Sequence, residues 1–206
     1  SPKTEAKALL AVGTIIFEWL GWNPVADRLT WLLENVPVLI AAPILIATYK
    51  RFPWSRLVYR LIAIHAVILM IGGHWTYAEV PIGHWMKDAF DLSRNHYDRL
   101  GHFAQGFIPV IMIREFLLRK SPLRSGILLN FICVLMTLGF SAFYEFFEWW
   151  VARATGTAAT AFLGTQGDVW DTQWDMFLAT VGAILSLAML SRMHDRFLTK
   201  LPNPLI

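Results

Sequence analysis

Long apolar segments constrain this chain more than any other feature of its sequence. A helix that crosses a bilayer needs roughly 20 mostly apolar residues. The 206-residue chain offers about six such segments, at roughly 6–22, 31–49, 57–77, 99–118, 126–152 and 172–191. Hydrophobic residues make up 56% of the chain and the mean hydropathy is +0.47, which is typical of membrane proteins. The sequence therefore predicts an all-α fold, a polytopic membrane bundle of about six transmembrane helices.

One integral-membrane domain is expected over residues 1–206, because no repeat, low-complexity tract or flexible linker divides the chain. The first apolar segment follows Lys3 and Lys7 but lacks a clear small-residue cleavage site. We therefore interpret it as a retained helix rather than a signal peptide. Cys133 is the single cysteine, which excludes an intrachain disulfide.

The basic residues predict how the bundle is oriented. If the N-terminus is inside, thirteen of the eighteen Lys and Arg residues fall at inner helix ends and loops. The other five, and twelve of the fifteen acidic residues, then fall on the outer side. By the positive-inside rule, both termini are expected in the cytoplasm. The pI of about 9.2 reflects this asymmetry, and no helix-turn-helix or zinc-finger spacing indicates a nucleic-acid partner. The expected partners are membrane lipids, and the oligomeric state stays open.

Polar residues recur at helical spacing near the outer ends of three predicted helices. Asp98, His102 and Gln105 share one face of the fourth helix. The fifth and sixth helices carry two similar sets, namely Ser141, Glu145 and Glu148, and Asp168, Asp171 and Asp175. At about 1.5 Å per residue, the three sets reach the same depth. Ionisable side chains inside a membrane usually face the bundle interior, so one shared pocket is expected.

We predict that this pocket binds a divalent cation and catalyses a reaction. A histidine among carboxylates is a ligand set for Zn²⁺, Mn²⁺ or Mg²⁺. Carboxylates gathered in a low-dielectric layer must protonate, pair with a base or bind a cation, and only five basic residues lie on that side. The predicted catalytic residues are Asp98, His102 and Glu145. The predicted metal ligands are His102, Glu145, Glu148, Asp171 and Asp175.

A structural polar network without metal is the alternative interpretation of the same residues. Asp168 could be the N-cap of the last helix, with Asp171 facing the helix dipole. The other acids could share a proton or pair with a nearby arginine, of which the candidates are Arg94, Arg99 and Arg153. His74, near the outer end of the third helix, is a further side chain that could reach the pocket.

Four long motifs give the chain a family resemblance. They are GGHWTYAEVP, NHYDRLGHFAQGF, SAFYEFFEWW and FLGTQGDVWDTQWDMFLATVGA, in this order over nearly the whole chain. Together they resemble the YjdF-like family of bacterial inner-membrane proteins. The resemblance implies a multi-pass protein of the bacterial inner membrane and implies no activity. The chain is also loosely similar to the VanZ-like proteins, which pair an Asp–His helix with a later Asp-bearing helix. The VanZ-like chains usually carry an Asn four residues after the later Asp. The corresponding position here, four residues after Asp175, is Ala179.

Three classes of function agree with these features. The first is a metal-dependent enzyme that acts at the outer leaflet on a lipid or lipid-linked substrate, because a bound cation can polarise a phosphoryl or carbonyl oxygen. The second is a transporter or an ion- or proton-conducting protein, although no inverted repeat is visible. The third is a structural membrane protein with a buried polar network. The sequence lacks GxSxG, Walker-type GK[ST] and HExxH motifs, so serine hydrolases, nucleotide-driven proteins and zincins find no support.

Overall fold

Eight α-helices make up most of the described chain. The computed structural model describes residues 2–155, 163 and 165–201. In chain order the helices are α1 (Pro2–Trp22), α2 (Arg28–Thr48), α3 (Arg56–Trp75), α4 (Pro81–Ala89), α5 (Tyr97–Phe107), α6 (Pro109–Lys120), α7 (Ile127–Thr155) and α8 (Asp171–Leu198). A 3₁₀ turn at Tyr77–Glu79 joins α3 to α4. The described residues contain no strand, and the predicted all-α fold is confirmed.

Four helices are long and apolar enough to cross a membrane. They are α2, α3, α7 and α8, whose apolar windows have mean hydropathies between 1.7 and 2.0. Large apolar side chains such as Ile44, Ile64 and Phe140 are exposed on these helices, which is expected where lipid covers the surface. Exposed tryptophans near helix ends match an interfacial belt, at Trp19, Trp22, Trp149, Trp150 and Trp170. The predicted helical membrane protein is therefore confirmed, and these four helices account for four of the six predicted spans.

The other two predicted spans take different forms. α1 is 21 residues long and packs against α3. The segment predicted as one helix over 99–118 is instead α5 followed by α6, with Ile108 between them. Pro109 lacks the backbone N–H that would bond to the carbonyl of Gln105. The helix therefore ends before this proline and starts again with proline in its first turn.

The long connection between α3 and α5 contains α4, a helix that lies outside the six predicted spans. After α4 the chain turns back through Asn95, whose side-chain amide donates to the carbonyl of Val80 at 3.0 Å. The backbone N–H of Asn95 donates to the side-chain oxygen of Gln166 at 3.0 Å, and the Gln166 amide donates back to the Asn95 carbonyl at 2.8 Å. These bonds tie the two long connections together where α5 and α8 begin. Residues 156–162 and 164 of the second connection lie outside the described residues.

α5 and α8 lie side by side because a small residue lines their contact. A Cβ atom added to Gly106 would lie 1.8 Å from the carbonyl oxygen of Ala179, so only glycine permits this approach of the two backbones. His102 lies one turn before Gly106, and Asp175 lies one turn before Ala179. Both helices begin at the same end of the bundle. The glycine contact therefore places the side chains of His102 and Asp175 next to each other.

An apolar core joins α3, α6, α7 and α8 beyond this contact. It includes Val58, Ile111, Leu129, Cys133 and Leu187, all of which are buried. Because lipid tails are as apolar as these side chains, the core stabilises the helix contacts mainly through close van der Waals packing. The core fixes α7 and α8 relative to each other, and these helices carry Glu145 and Asp175.

Candidate metal centre

Three helices bring four of the predicted residues together around one imidazole. Nε2 of His102 on α5 lies 3.6 Å from Oδ1 of Asp98 and 3.9 Å from Oδ2 of Asp175 on α8. Nδ1 of His102 lies 3.8 Å from Oε1 of Glu145 on α7. Asp98 and His102 share a face of α5 because four residues separate them. We refer to Asp98, His102, Glu145 and Asp175 as the His102 cluster.

The His102 cluster is buried but incompletely hydrogen-bonded. The exposed fractions are 8% for Asp98, 5% for His102, 7% for Glu145 and 2% for Asp175. His102 Nδ1, Glu145 Oε1 and Asp175 Oδ1 have no hydrogen-bond partner among the described residues. A buried polar atom without a partner costs roughly 1–3 kcal/mol. A ligand that supplied the missing interactions would therefore stabilise the folded protein.

Asp98, His102 and Asp175 fit a divalent cation. One donor atom from each residue, two carboxylate oxygens and a ring nitrogen in all, lie within 4.8 Å of one another. Carboxylate oxygen and imidazole nitrogen are ligands that Zn²⁺ and Mn²⁺ accept. Three protein ligands also leave a coordination position open to substrate, as catalytic zinc sites do. The donor set is therefore chemically suited to the cation that the sequence predicts.

Arginines pair with two other acids beside the His102 cluster. The buried Arg94 makes a direct ion pair through Nη1 with Oδ1 of Asp171, and its Nη2 lies 3.9 Å from Oδ2 of Asp98. Nη2 of Arg99 donates to Oδ2 of Asp168 at 2.5 Å. Asp171, a predicted metal ligand, thus has a cationic partner. The structural alternative names Arg94 and Arg99 as partners for nearby acids, and both arginines do form ion pairs here.

The remaining predicted residues surround the cluster. Glu148 is half-buried and lies one turn beyond Glu145 on α7. It does not belong to the group of Asp98, His102 and Asp175, whose donor atoms lie within 4.8 Å of one another. The N-cap residue of α8 is Trp170, so the expectation that Asp168 caps this helix is wrong. The Asp168 carboxylate instead accepts from the backbone N–H of Trp170 at 2.9 Å. This bond stabilises the turn before α8 rather than the helix end itself.

Two neighbouring histidines have other roles. Nδ1 of His74 lies 2.7 Å from the carbonyl oxygen of Leu20, so this side chain ties α3 to the end of α1 and does not join the cluster. His96 precedes α5 and lies beside Arg99. Partial burial, and then the positive charge of Arg99, lower the pKa of His96 below its usual range. The imidazole of His96 is therefore neutral near pH 7.

Two further sets of buried polar residues have little signal in the sequence. Glu34 of α2 is buried and accepts from the hydroxyl of Thr76 at 2.6 Å. The one available signal was an acid within an apolar segment. The second set lies at the opposite end of the bundle, where Nη1 of Arg114 lies 2.8 Å from Nδ1 of His194, and Nε2 of His194 lies 3.1 Å from Oε2 of Glu115. In the sequence these residues resemble ordinary charges at a membrane surface.

Comparison with known proteins agrees with this architecture. Residues 6–196 match a protein family described as "Predicted membrane protein (DUF2238)". The chain belongs to this family. It is 48% identical over 174 residues to the inner membrane protein YjdF of Escherichia coli (strain K12), which covers 84% of this chain and 83% of that protein. No solved structure matches the chain significantly. The resemblance to the YjdF-like family is confirmed, and the chain is a multi-pass inner-membrane protein; the looser similarity to VanZ-like proteins stays a prediction.

Proposed function

We propose that this protein is a metal-dependent enzyme that acts on a lipid or lipid-linked substrate. The observation that carries the proposal is the gathering of donor atoms from Asp98, His102 and Asp175 within 4.8 Å of one another in a buried setting. Buried charges in a membrane protein are costly and are usually paired or functional. Asp171 is set aside as a ligand, because Arg94 already neutralises it.

The chain's own residues would bind the cation and shape its surroundings. A divalent cation at this position would polarise a phosphoryl or carbonyl oxygen of the substrate. Asp98 and Asp175 would balance its charge, and His102 would supply the nitrogen ligand. The low exposure of all three side chains would exclude bulk water, which strengthens electrostatic interactions inside the pocket.

The surface next to the cluster supports an amphipathic substrate. Trp170, Trp174 and Phe177 are exposed around the start of α8, and the guanidinium of Arg99 lies 5.3 Å from the centre of the Trp174 ring. Aromatic rings at this level of a membrane protein contact the headgroup region of the bilayer. A lipid lying against these rings would contact the first two turns of α8, which also carry Asp175 of the His102 cluster.

Lipid turnover in reconstituted vesicles tests this proposal. Purified protein would be placed in vesicles of phosphatidylethanolamine and phosphatidylglycerol with Zn²⁺, Mn²⁺ or Mg²⁺, and lipid products would be measured by mass spectrometry. We expect a metal-dependent product that falls by at least about 100-fold in His102→Ala. His84→Ala is the matched control, because His84 also pairs with a carboxylate, that of Glu79 at 3.0 Å, but at the surface. Absence of a product with every metal, or a product that persists in His102→Ala, would contradict the proposal.

A structural polar network is the second candidate function. The ion pairs of Arg94 with Asp171 and of Arg99 with Asp168 favour it, because they neutralise charge beside the cluster without any metal. This candidate predicts that His102→Ala changes protein stability while metal content and lipid composition stay as in wild type. The transporter alternative predicts solute or proton flux across the same vesicles, which a pH-sensitive dye trapped inside them would report.

A further inference from the structure

We propose that Glu145 does not bind the cation and instead orients His102 from the opposite edge of the imidazole ring. The inference rests on the proposed metal centre and departs from the sequence prediction, which counts Glu145 among the ligands. In this arrangement Glu145 is a positioning residue, and its action on the cation passes through His102.

The two ring nitrogens of His102 face different carboxylates. Nε2 is the nitrogen on the side of Asp98 and Asp175, at 3.6 Å and 3.9 Å from their oxygens. Nδ1 is the nitrogen on the side of Glu145, at 3.8 Å. A cation bound through Nε2 together with Asp98 and Asp175 would lie across the ring from Glu145. It would then be too far from Glu145 Oε1 for the roughly 2.0–2.2 Å of a zinc–oxygen bond.

A neutral imidazole that binds metal through one nitrogen carries its proton on the other nitrogen. With Nε2 on the cation, that proton is on Nδ1 and needs an acceptor. His102 Nδ1 and Glu145 Oε1 are both buried, and neither has another hydrogen-bond partner among the described residues. The separation of 3.8 Å exceeds the usual N–H···O distance of about 3.0 Å by less than 1 Å. A small side-chain movement would therefore give each atom its partner.

Thr172, in the first turn of α8, also lies near the Glu145 carboxyl group. Ligand histidines almost always donate their second N–H to a carboxylate or a carbonyl, which fixes the ring orientation and raises the basicity of the ligand. The position of Glu145 matches that role.

Cobalt binding separates a positioning role from a ligand role, because the visible absorption of bound Co²⁺ reports on its coordination. Detergent-purified wild type, Glu145→Gln, Glu145→Ala and Asp175→Asn would be titrated with Co²⁺. We expect Glu145→Gln to keep the wild-type spectrum with affinity within a few-fold, because glutamine can still accept from Nδ1. Glu145→Ala should keep the spectrum but bind roughly 10–100-fold more weakly. Asp175→Asn should change or abolish the spectrum, because it alters a ligand.

Glu79→Gln is the matched control, since Glu79 is also a carboxylate beside a histidine, but an exposed one, and it should bind Co²⁺ as wild type does. A spectral change in Glu145→Gln as large as that in Asp175→Asn would make Glu145 a ligand and overturn the inference. Wild-type affinity in Glu145→Ala would also overturn it. A wild-type protein that binds no Co²⁺ would overturn the metal centre itself, which distinguishes failure of the proposed function from failure of this inference alone.

Discussion

Buried histidines at the two ends of the bundle differ in how their hydrogen bonds are completed. An arginine can only donate, so Nδ1 of His194 must accept from Arg114, and its Nε2–H then donates to Glu115. Both nitrogens of His194 thus have a protein partner. At the other end, Nδ1 of His102 has none among the described residues. The first histidine belongs to a completed network of hydrogen bonds, whereas the network around the second is incomplete.

Replacing Glu115 should strongly destabilise the protein. Its Oε1 accepts from the backbone N–H of Ser55 at 2.9 Å and from Arg119 at 2.8 Å, in addition to the bond from His194. Glu115→Ala would leave the buried N–H groups of His194 and Ser55 without their acceptor, which costs roughly 1–3 kcal/mol for each group, and would also remove the carboxylate partner of Arg119. Thermal unfolding in detergent should show a large drop in Tm. Glu79→Ala is the control, because Glu79 pairs with His84 at 3.0 Å but both side chains are largely exposed, and its loss should cost about 1 kcal/mol or less. Equal effects of the two substitutions would contradict this assignment.

The sequence predicts the residues of the His102 cluster better than it predicts their pairing. Spacings of three and four residues place Asp98 with His102 and align Asp171 with Asp175, because helix geometry alone decides which side chains share a face. Partners on other segments follow from tertiary packing. The pairing of Arg94 with Asp171 spans 77 residues, and that of Glu115 with His194 spans 79, so no local pattern indicates either.

Among the helices, the contact between α5 and α8 does most to position the candidate site. Apolar periodicity predicts that both helices exist, but it does not predict that α5 ends before Pro109 or that Gly106 packs against Ala179. The proline is a visible signal for the break. The partner of a glycine is not visible in a single sequence, since many glycines in membrane helices have open space beside them, as Gly139 on α7 has.

Gly106→Ala should therefore destabilise the protein and loosen the candidate site. Its Cβ would meet the backbone carbonyl of Ala179 at 1.8 Å, and backbone cannot rotate away, so α5 and α8 must separate. Overpacking of this kind costs roughly 1–3 kcal/mol. Gly139→Ala makes the same chemical change with nothing within 4 Å, and it should leave Tm unchanged or raise it through higher helix propensity. Thermal unfolding of both variants decides the matter, and an unchanged Tm in Gly106→Ala would rule out the close contact.

For the protein as a whole, the charge asymmetry predicts the topology. Thirteen of the eighteen Lys and Arg residues lie on the side assigned to the cytoplasm, and the His102 cluster lies at the opposite end of the bundle. A reporter fused after Leu198 should therefore read as cytoplasmic, and one inserted after Asp88 in α4 should read as periplasmic. The reverse result would place the His102 cluster on the cytoplasmic side and change the leaflet from which a substrate reaches it.

Metal content is the most direct test of the central claim, that the His102 cluster binds a divalent cation. Elemental analysis of detergent-purified wild type and His84→Ala should find about one equivalent of metal per chain, and His102→Ala should have lost it. Chelation should lower the Tm of wild type and leave that of His102→Ala unchanged, because a ligand that binds only the folded state stabilises it. A wild-type protein that contains no metal, with a Tm that neither chelator nor added Zn²⁺, Mn²⁺ or Mg²⁺ changes, would contradict the metal centre.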